Sequence, residues 1–147
     1  MVLPFKSAML ATPPDRTAAI RTLAETLVRD DRLADLEGFL SDVQRREEQM
    51  ATGLPGGVAI PHSRSRHVNS PSIAFGRSDE GIACGAADGP ARLVFLIAVP
   101  EGGASDQLAV LAQLARRLAK PSLREQLLTM TDPQEIAELL DDEVVRS

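Results

Sequence analysis

Thr52-Gly53-Leu54-Pro55-Gly56-Gly57-Val58-Ala59-Ile60-Pro61-His62-Ser63-Arg64 is the stretch on which the reading of this chain turns. Its three glycines and Pro55 spell a tight loop, and Val58-Ala59-Ile60 is a short apolar run with the character of a buried strand. Pro61, which has no backbone N–H to give a ladder, ends that run. His62 is thereby expected at the mouth of a sheet, backed by a strand and open to a second protein. The only other histidine is His67, five residues further on, so imidazole chemistry is confined to this segment.

Downstream, the chain is polar from His62 through Asn69, and Ser72-Ile73-Ala74-Phe75-Gly76 reads as a short strand. Asp79-Glu80-Gly81 and Asp88-Gly89-Pro90 read as turns around a short run that holds Ile82 and Cys84. Ala91 to Val99 is apolar nearly throughout and rich in β-branched and aromatic residues, which suits a central strand covered on both faces. After Pro100-Glu101-Gly102-Gly103, Ser105 or Asp106 can cap a helix carrying Leu108, Leu111, Ala112, Leu114, Ala115 and Leu118. Ser122 with Glu125 has the spacing of a capping box for a short helix through Leu128. Thr131 or Asp132 before Pro133 starts a last helix, with Ile136, Leu139 and Leu140 inward.

Upstream, residues 1–14 read as an irregular lead-in. Asp15 can cap an amphipathic helix with Ile20, Leu23, Ala24, Leu27 and Val28 on one face, which Asp30-Asp31 breaks. Asp35 can start a second helix, with Leu36, Phe39, Leu40 and Val43 inward and Arg45, Arg46, Glu47 and Glu48 near its end. Arg46 is open to two readings, a solvated helix end or an arginine leaning over His62. Helices alternating with a few apolar strands, without a repeat or a linker, predict one domain over 1–147, an α/β sandwich built on a mixed sheet.

A length of 147 residues is enough to bury a proper core. With 44% hydrophobic and 25% charged residues the composition is that of a globular chain and excludes a disordered one. The net charge of -5 argues against nucleic acid as a partner, because binders of phosphate backbones carry basic surfaces. The longest apolar run, Leu93 to Val99, is too short to cross a bilayer, and Met1 to Ser7 lacks the apolar core of a secretory signal. No membrane insertion and a cytoplasmic location are expected. Cys84 is the only cysteine, so the chain builds neither an internal disulfide nor a thiolate metal cluster.

The chain has no P-loop, no His-Glu-x-x-His helix and no Gly-x-Ser-x-Gly elbow, and no cofactor is assigned to it. A metal shared by His62 and His67 is disfavoured, since a spacing of five fits neither a helix face nor alternate strand positions and no third ligand stands nearby. The default for any single histidine is a structural role. The alternative for His62 is nucleophilic: a neutral imidazole keeps one lone pair and can take up a phosphoryl group and pass it on. That chemistry needs an acceptor to anchor the other ring nitrogen, and donors around the phosphoryl oxygens. Candidate donors are the amides around Gly56 and Gly57, the helix start near Ser105, and Arg46 or Arg64.

Several segments together carry a resemblance. They are Thr52-Gly53 to His62, Leu93 to Glu101 ending in Ala-Val-Pro-Glu-Gly, Leu111-Ala112-Gln113-Leu114-Ala115-Arg116-Arg117-Leu118, and Ser122-Leu123-Arg124-Glu125 through Thr131-Asp132-Pro133. From about Thr17 to Leu140 the chain resembles the enzyme IIA domain of the fructose/mannitol type, part of the bacterial phosphoenolpyruvate-dependent sugar phosphotransferase system. The Ala-Ile-Pro-His motif is its most specific piece. The resemblance implies a mixed sheet of about five strands between helices. It implies that His62 takes a phosphoryl group from the phosphocarrier protein HPr and gives it to the cysteine of a sugar-specific enzyme IIB. Arg46 and Thr52 match the pocket-flanking arginine and threonine of similar proteins. Cys84 does not match the enzyme IIB cysteine, and is read as a small core or strand residue. Many members carry a second histidine where this chain has Gln107, which can donate a hydrogen bond but cannot become a cation. Arg64 is a candidate for the missing charge, and His67 is expected on a solvated loop. A nitrogen-related regulatory branch, acting by phosphorylation-dependent binding, is the alternative within the same resemblance.

Overall fold

In a computed structural model of the protein, the described residues are 5–9, 16–29, 31–49, 53–54, 57–69, 72–82, 91–101, 116–117 and 120–140. The elements are β1 (Phe5–Met9), α1 (Arg16–Arg29), α2 (Leu36–Gln49), β2 (Gly53–Leu54), β3 (Val58–Ala59), β4 (His62–Ser65), β5 (Ser72–Ile82), β6 (Ala91–Pro100), α3 (Pro121–Thr129) and α4 (Pro133–Leu140). The strands form one mixed sheet in the order β1-β5-β6-β3-β2, with β4 also paired to β6. β3 and β4 follow one another along the same edge of β6, both parallel to it, with Val58 opposite Leu93 and His62 opposite Ile97. The sheet is therefore five positions wide, as expected, although six strands build it.

β6 is the spine. Its residues Leu93 to Val99 are all buried, because the sheet is covered on both sides. Leu93, Phe95, Ile97 and Val99 join a core with Leu123 and Leu127 of α3 and Ile136 of α4. Val94, Leu96 and Ala98 join a second core with Ala19, Leu23 and Leu27 of α1 and Phe39 and Val43 of α2. Phe75 of β5 lies opposite Phe95, their ring centroids 5.1 Å apart. The expected two-faced central strand is thus present.

Four expectations change. The lead-in contains a strand: β1 pairs parallel with β5, Phe5 opposite Ile73 and Met9 opposite Gly76. Such an edge strand is held by its ladder, and its sequence, Phe-Lys-Ser-Ala-Met, carries little β-propensity of its own. β5 runs on through Asp79-Glu80-Gly81, where the sequence predicts a turn. The register shifts between Arg77 and Ile82, and Gly81 sits at φ 87°, so the turn-forming residues make a bulge inside a strand. The helix at Ser122 starts two residues earlier, with Lys120 and not Ser122 at the N-cap, no side-chain cap and Pro121 at the first turn, whose ring already supplies a helical φ. Val28 is exposed, because Leu27, one step around the helix, takes the inward position.

Other boundaries match. α1 is closed off just beyond Arg29 by Asp31, which has φ 59°; its N–H donates to the Val28 carbonyl at 3.0 Å, and the Arg32 N–H donates to that of Leu27 at 2.8 Å. This is the Schellman pattern, with aspartate in the place glycine usually takes. Asp132 caps α4 by accepting the Gln134 N–H at 3.0 Å. The readings placed on Asp15, Cys84, the helix from Ser105 to Ala115 and the inward-facing Leu118 and Leu140 lie outside the described residues or side chains.

Candidate functional site

The chain does not leave the sheet at Pro61. The Ile97 N–H donates to the Pro61 carbonyl at 3.0 Å, and His62 to Ser65 continue the ladder opposite Ile97 to Pro100. A proline costs a strand only its own donor, and on an outer strand that donor can face away from the partner. His62 accordingly stands within the sheet, at its margin, and not at the mouth of it.

β4 alternates with period two. His62 is half-buried, Ser63 buried, Arg64 exposed and Ser65 buried. Parallel partners share a face, so His62 and Arg64 lie on the face of Ile97 and Val99, the side of α3 and α4. Ser63 and Ser65 turn to the α2 side, where the Ser65 hydroxyl donates to the Asp42 carboxylate at 2.6 Å and accepts the His67 N–H at 3.1 Å. Arg45 donates to the same carboxylate. This clamp explains how a polar tetrapeptide can be a strand: its buried hydroxyl has a charged partner on a helix. The signal in the sequence was the His-Ser-Arg-Ser alternation, which a reading based on apolar residues passes over.

The His62 ring is oriented by its own chain. Nδ1 lies 2.8 Å from the Ile60 carbonyl oxygen. A carbonyl only accepts, so Nδ1 carries the proton and Nε2 keeps the lone pair. The anchoring acceptor that nucleophilic chemistry requires is thus supplied by a main-chain group two residues upstream.

His67 is elsewhere. Its ring packs on Gly38 of α2, so closely that a Cβ on that glycine would stand 2.5 Å from it, and its Nδ1 is 3.8 Å from Asp35. It is a half-buried residue packed on the α2 side, and the sheet lies between it and the face that carries His62. Among the described residues no group of three His, Cys, Asp or Glu side chains is placed to hold a metal ion.

Arg46 is half-buried in the last turn of α2, the helix that packs on the Ser63 and Ser65 side. Among the described residues no hydrogen bond or ion pair joins it to His62. Thr52 and Gln107 lie outside the described residues; Gly53, next to Thr52, pairs with Ala59, three residues before His62. Gly57 turns the chain into β3 at φ 78°, and its carbonyl accepts the N–H groups of Arg92 at 2.9 Å and Leu93 at 3.1 Å. Sequence reasoning did not single out Arg77. It is buried on β5 opposite Leu93 and donates to the carbonyls of Leu127 at 3.0 Å and Met130 at 2.6 Å, holding the end of α3 to the sheet. No helix among the described residues is long and apolar enough to cross a membrane.

Comparison with known proteins agrees with this architecture. A fructose-specific EIIA component of the phosphotransferase system from Haloferax volcanii is 35% identical over 145 residues, 97% of this chain and 94% of that protein. Several other curated relatives are longer, and the chain spans 20% or less of them. The crystal structure of the nitrogen regulatory protein IIA-Ntr from Neisseria meningitidis superimposes with a TM-score of 0.83 at 30% identity, over 95% of this chain and 96% of that one. The mannitol enzyme IIA of Escherichia coli, in its complex with phosphorylated mannitol enzyme IIB, gives a TM-score of 0.78 at 26% identity, over 95% and 97% of the two chains. Residues 8–143 match the family described as the phosphoenolpyruvate-dependent sugar phosphotransferase system, EIIA 2, and the chain belongs to that family.

Proposed function

We infer that the protein is a phosphohistidine carrier, accepting a phosphoryl group from HPr on His62 Nε2 and donating it to the cysteine of an enzyme IIB. The observation that carries this reading is the Nδ1–H bond to the Ile60 carbonyl on a half-buried ring, which leaves Nε2 as the nucleophilic nitrogen. In the first step the Nε2 lone pair forms a bond to phosphorus as the N–P bond of phosphorylated HPr breaks and its electrons return to the donor imidazole. In the second a cysteine thiolate of enzyme IIB attacks phosphorus and the Nε2–P bond breaks. Nδ1 keeps its proton throughout, so no acid or base is needed on this side.

Arg46, Thr52 and Gln107 are assigned to the rim of the pocket, around the phosphoryl oxygens. Fructose-type uptake in the cytoplasm is supported by the likeness to the Haloferax volcanii protein, and an enzyme IIB partner by the Escherichia coli mannitol complex. A second reading, a regulatory protein that binds targets according to its phosphorylation state, is favoured by the likeness to IIA-Ntr.

The test is intact-protein mass after incubation with phosphoenolpyruvate, enzyme I and HPr, beside His62→Ala. The expected result is one acid-labile phosphoryl group on the wild type and none on the variant. A wild type that stays unmodified beside an active donor would overturn the carrier reading. Transfer onward to enzyme IIB separates the uptake role from the regulatory one.

A further inference from the structure

We propose that Ser65 and Asp42 are positioning residues for phosphoryl transfer, on the carrier reading with His62 as the acceptor: the hydrogen bond between them holds β4 in register against the helix that carries Arg46. β4 lacks what ordinarily fixes a strand. Upstream of Pro61 the apolar Val58 and Ala59 pair with Leu93 and Val94, but His62-Ser63-Arg64-Ser65 contains no apolar side chain. Burial of an apolar face usually specifies register, and a slip by one residue would turn His62 to the α2 side. A polar strand at the margin of a sheet needs another device.

Ser65 supplies it. The residue is 1% exposed, so its hydroxyl must find partners within the protein. That hydroxyl donates to the Asp42 carboxylate at 2.6 Å and accepts the His67 N–H at 3.1 Å. The Ser65 carbonyl accepts the N–H groups of Val68 at 3.2 Å and Glu101 at 3.1 Å. Arg45 donates to the same carboxylate, so the acceptor on α2 is charged and itself held. β4 is thus pinned three residues beyond His62, as the Ile60 carbonyl pins the ring from two residues before it. On the helix, Asp42 and Arg46 are four apart and share a face. One bond therefore sets the strand of the nucleophile and the helix of Arg46 relative to each other. Neither Ser65 nor Asp42 makes or breaks a covalent bond; both act through His62 and Arg46.

The test is single-turnover phosphorylation of the full chain by phosphorylated HPr, over a range of HPr concentrations, at a temperature where circular dichroism shows every variant folded. Ser65→Ala and Asp42→Ala are each expected to lower the saturating rate about ten- to a hundred-fold, the cost of misplacing reacting groups by about 1 Å. The half-saturating concentration of HPr is expected to stay at the wild-type value. The double variant is expected to lose no more than either single one, since both break the same bond. Ile20→Val, which removes a buried methyl group from α1, is expected to lower the melting temperature and keep the wild-type rate. If Ser65→Ala and Asp42→Ala react at the wild-type saturating rate, or if only the half-saturating concentration rises, the assignment is wrong while His62 remains the acceptor. Additive losses in the double variant, or an equal loss in Ile20→Val, would overturn it as well. If the wild type takes no phosphoryl group at all, the carrier reading fails first and this one with it. Should Ser65→Ala fold poorly, Asp42→Ala, at a partly exposed helical position where alanine is favourable, decides alone.

Discussion

Single side chains in this protein act through partners that stand far from them in the sequence. The Ser65 hydroxyl, buried on β4, depends on Asp42 of α2. Ser65→Ala leaves the carboxylate without that donor, and we expect a loss of about 1–3 kcal/mol in urea unfolding, with Asp42→Asn similar. An unchanged midpoint would show that solvent satisfies both groups. Gly38 and His67 make a sharper case. Glycine within a helix costs about 1 kcal/mol relative to alanine, yet an added Cβ would meet the His67 ring at 2.5 Å. Gly38→Ala is therefore expected to gain little or to destabilise in the wild-type background, and to stabilise in the background of His67→Ala. A double-mutant cycle reads the difference as a coupling energy, and additive effects would mean that the ring moves aside freely.

At the scale of elements, ends and edges were the least legible. The stop of α1 could be read from Asp30-Asp31, but its mechanism is the left-handed Asp31 with its two backbone bonds. Asp31→Gly is expected to raise the melting temperature by a few degrees, on the order of 0.5–1 kcal/mol, by relieving the Cβ clash of that conformation. A lower melting temperature would point to a stabilising role for the Asp31 side chain. The end of α3 was not legible, because it is held by Arg77, about fifty residues earlier in the chain. Arg77→Met is expected to cost about 2–4 kcal/mol and to raise amide exchange through α3 and α4 first. Uniform exchange across the sheet would show instead that Arg77 supports the whole fold. The polar strand β4 was missed for the same reason, since neither its ladder to β6 nor its clamp to α2 is local.

For the molecule as a whole, two cores on one sheet make the fold robust to changes at its margin, and His62→Ala is expected to keep the wild-type circular dichroism while abolishing phosphorylation. The two helices that cover one face of the sheet are also tied to each other at the surface. Arg21 of α1 donates to both carboxylate oxygens of Glu37 of α2, at 2.7 and 3.0 Å. Its hydrogen bonds hold the Glu37 carboxyl below the usual range. A carboxyl lowered in the folded state contributes stability above its unfolded value, and that contribution is lost as pH falls through the folded one. Glu37→Gln is thus expected to lie slightly below the wild type at neutral pH and to converge with it in acid, with the gap closing in high salt. A gap that persists in acid would assign it to packing. By itself the sequence determined the central strand β6, the apolar faces of α1 and α2, the start of α4 at Thr131 or Asp132 and His62 as the candidate nucleophile, because each is written in local periodicity or in one short motif. Only the tertiary structure decided that the strand resumes past Pro61, that β1 closes one edge, that His67 is turned to the other side of the sheet and that Arg64 shares a face with His62. Those outcomes depend on ladders and contacts between residues distant in sequence, whose free energy exists only once the partners have met.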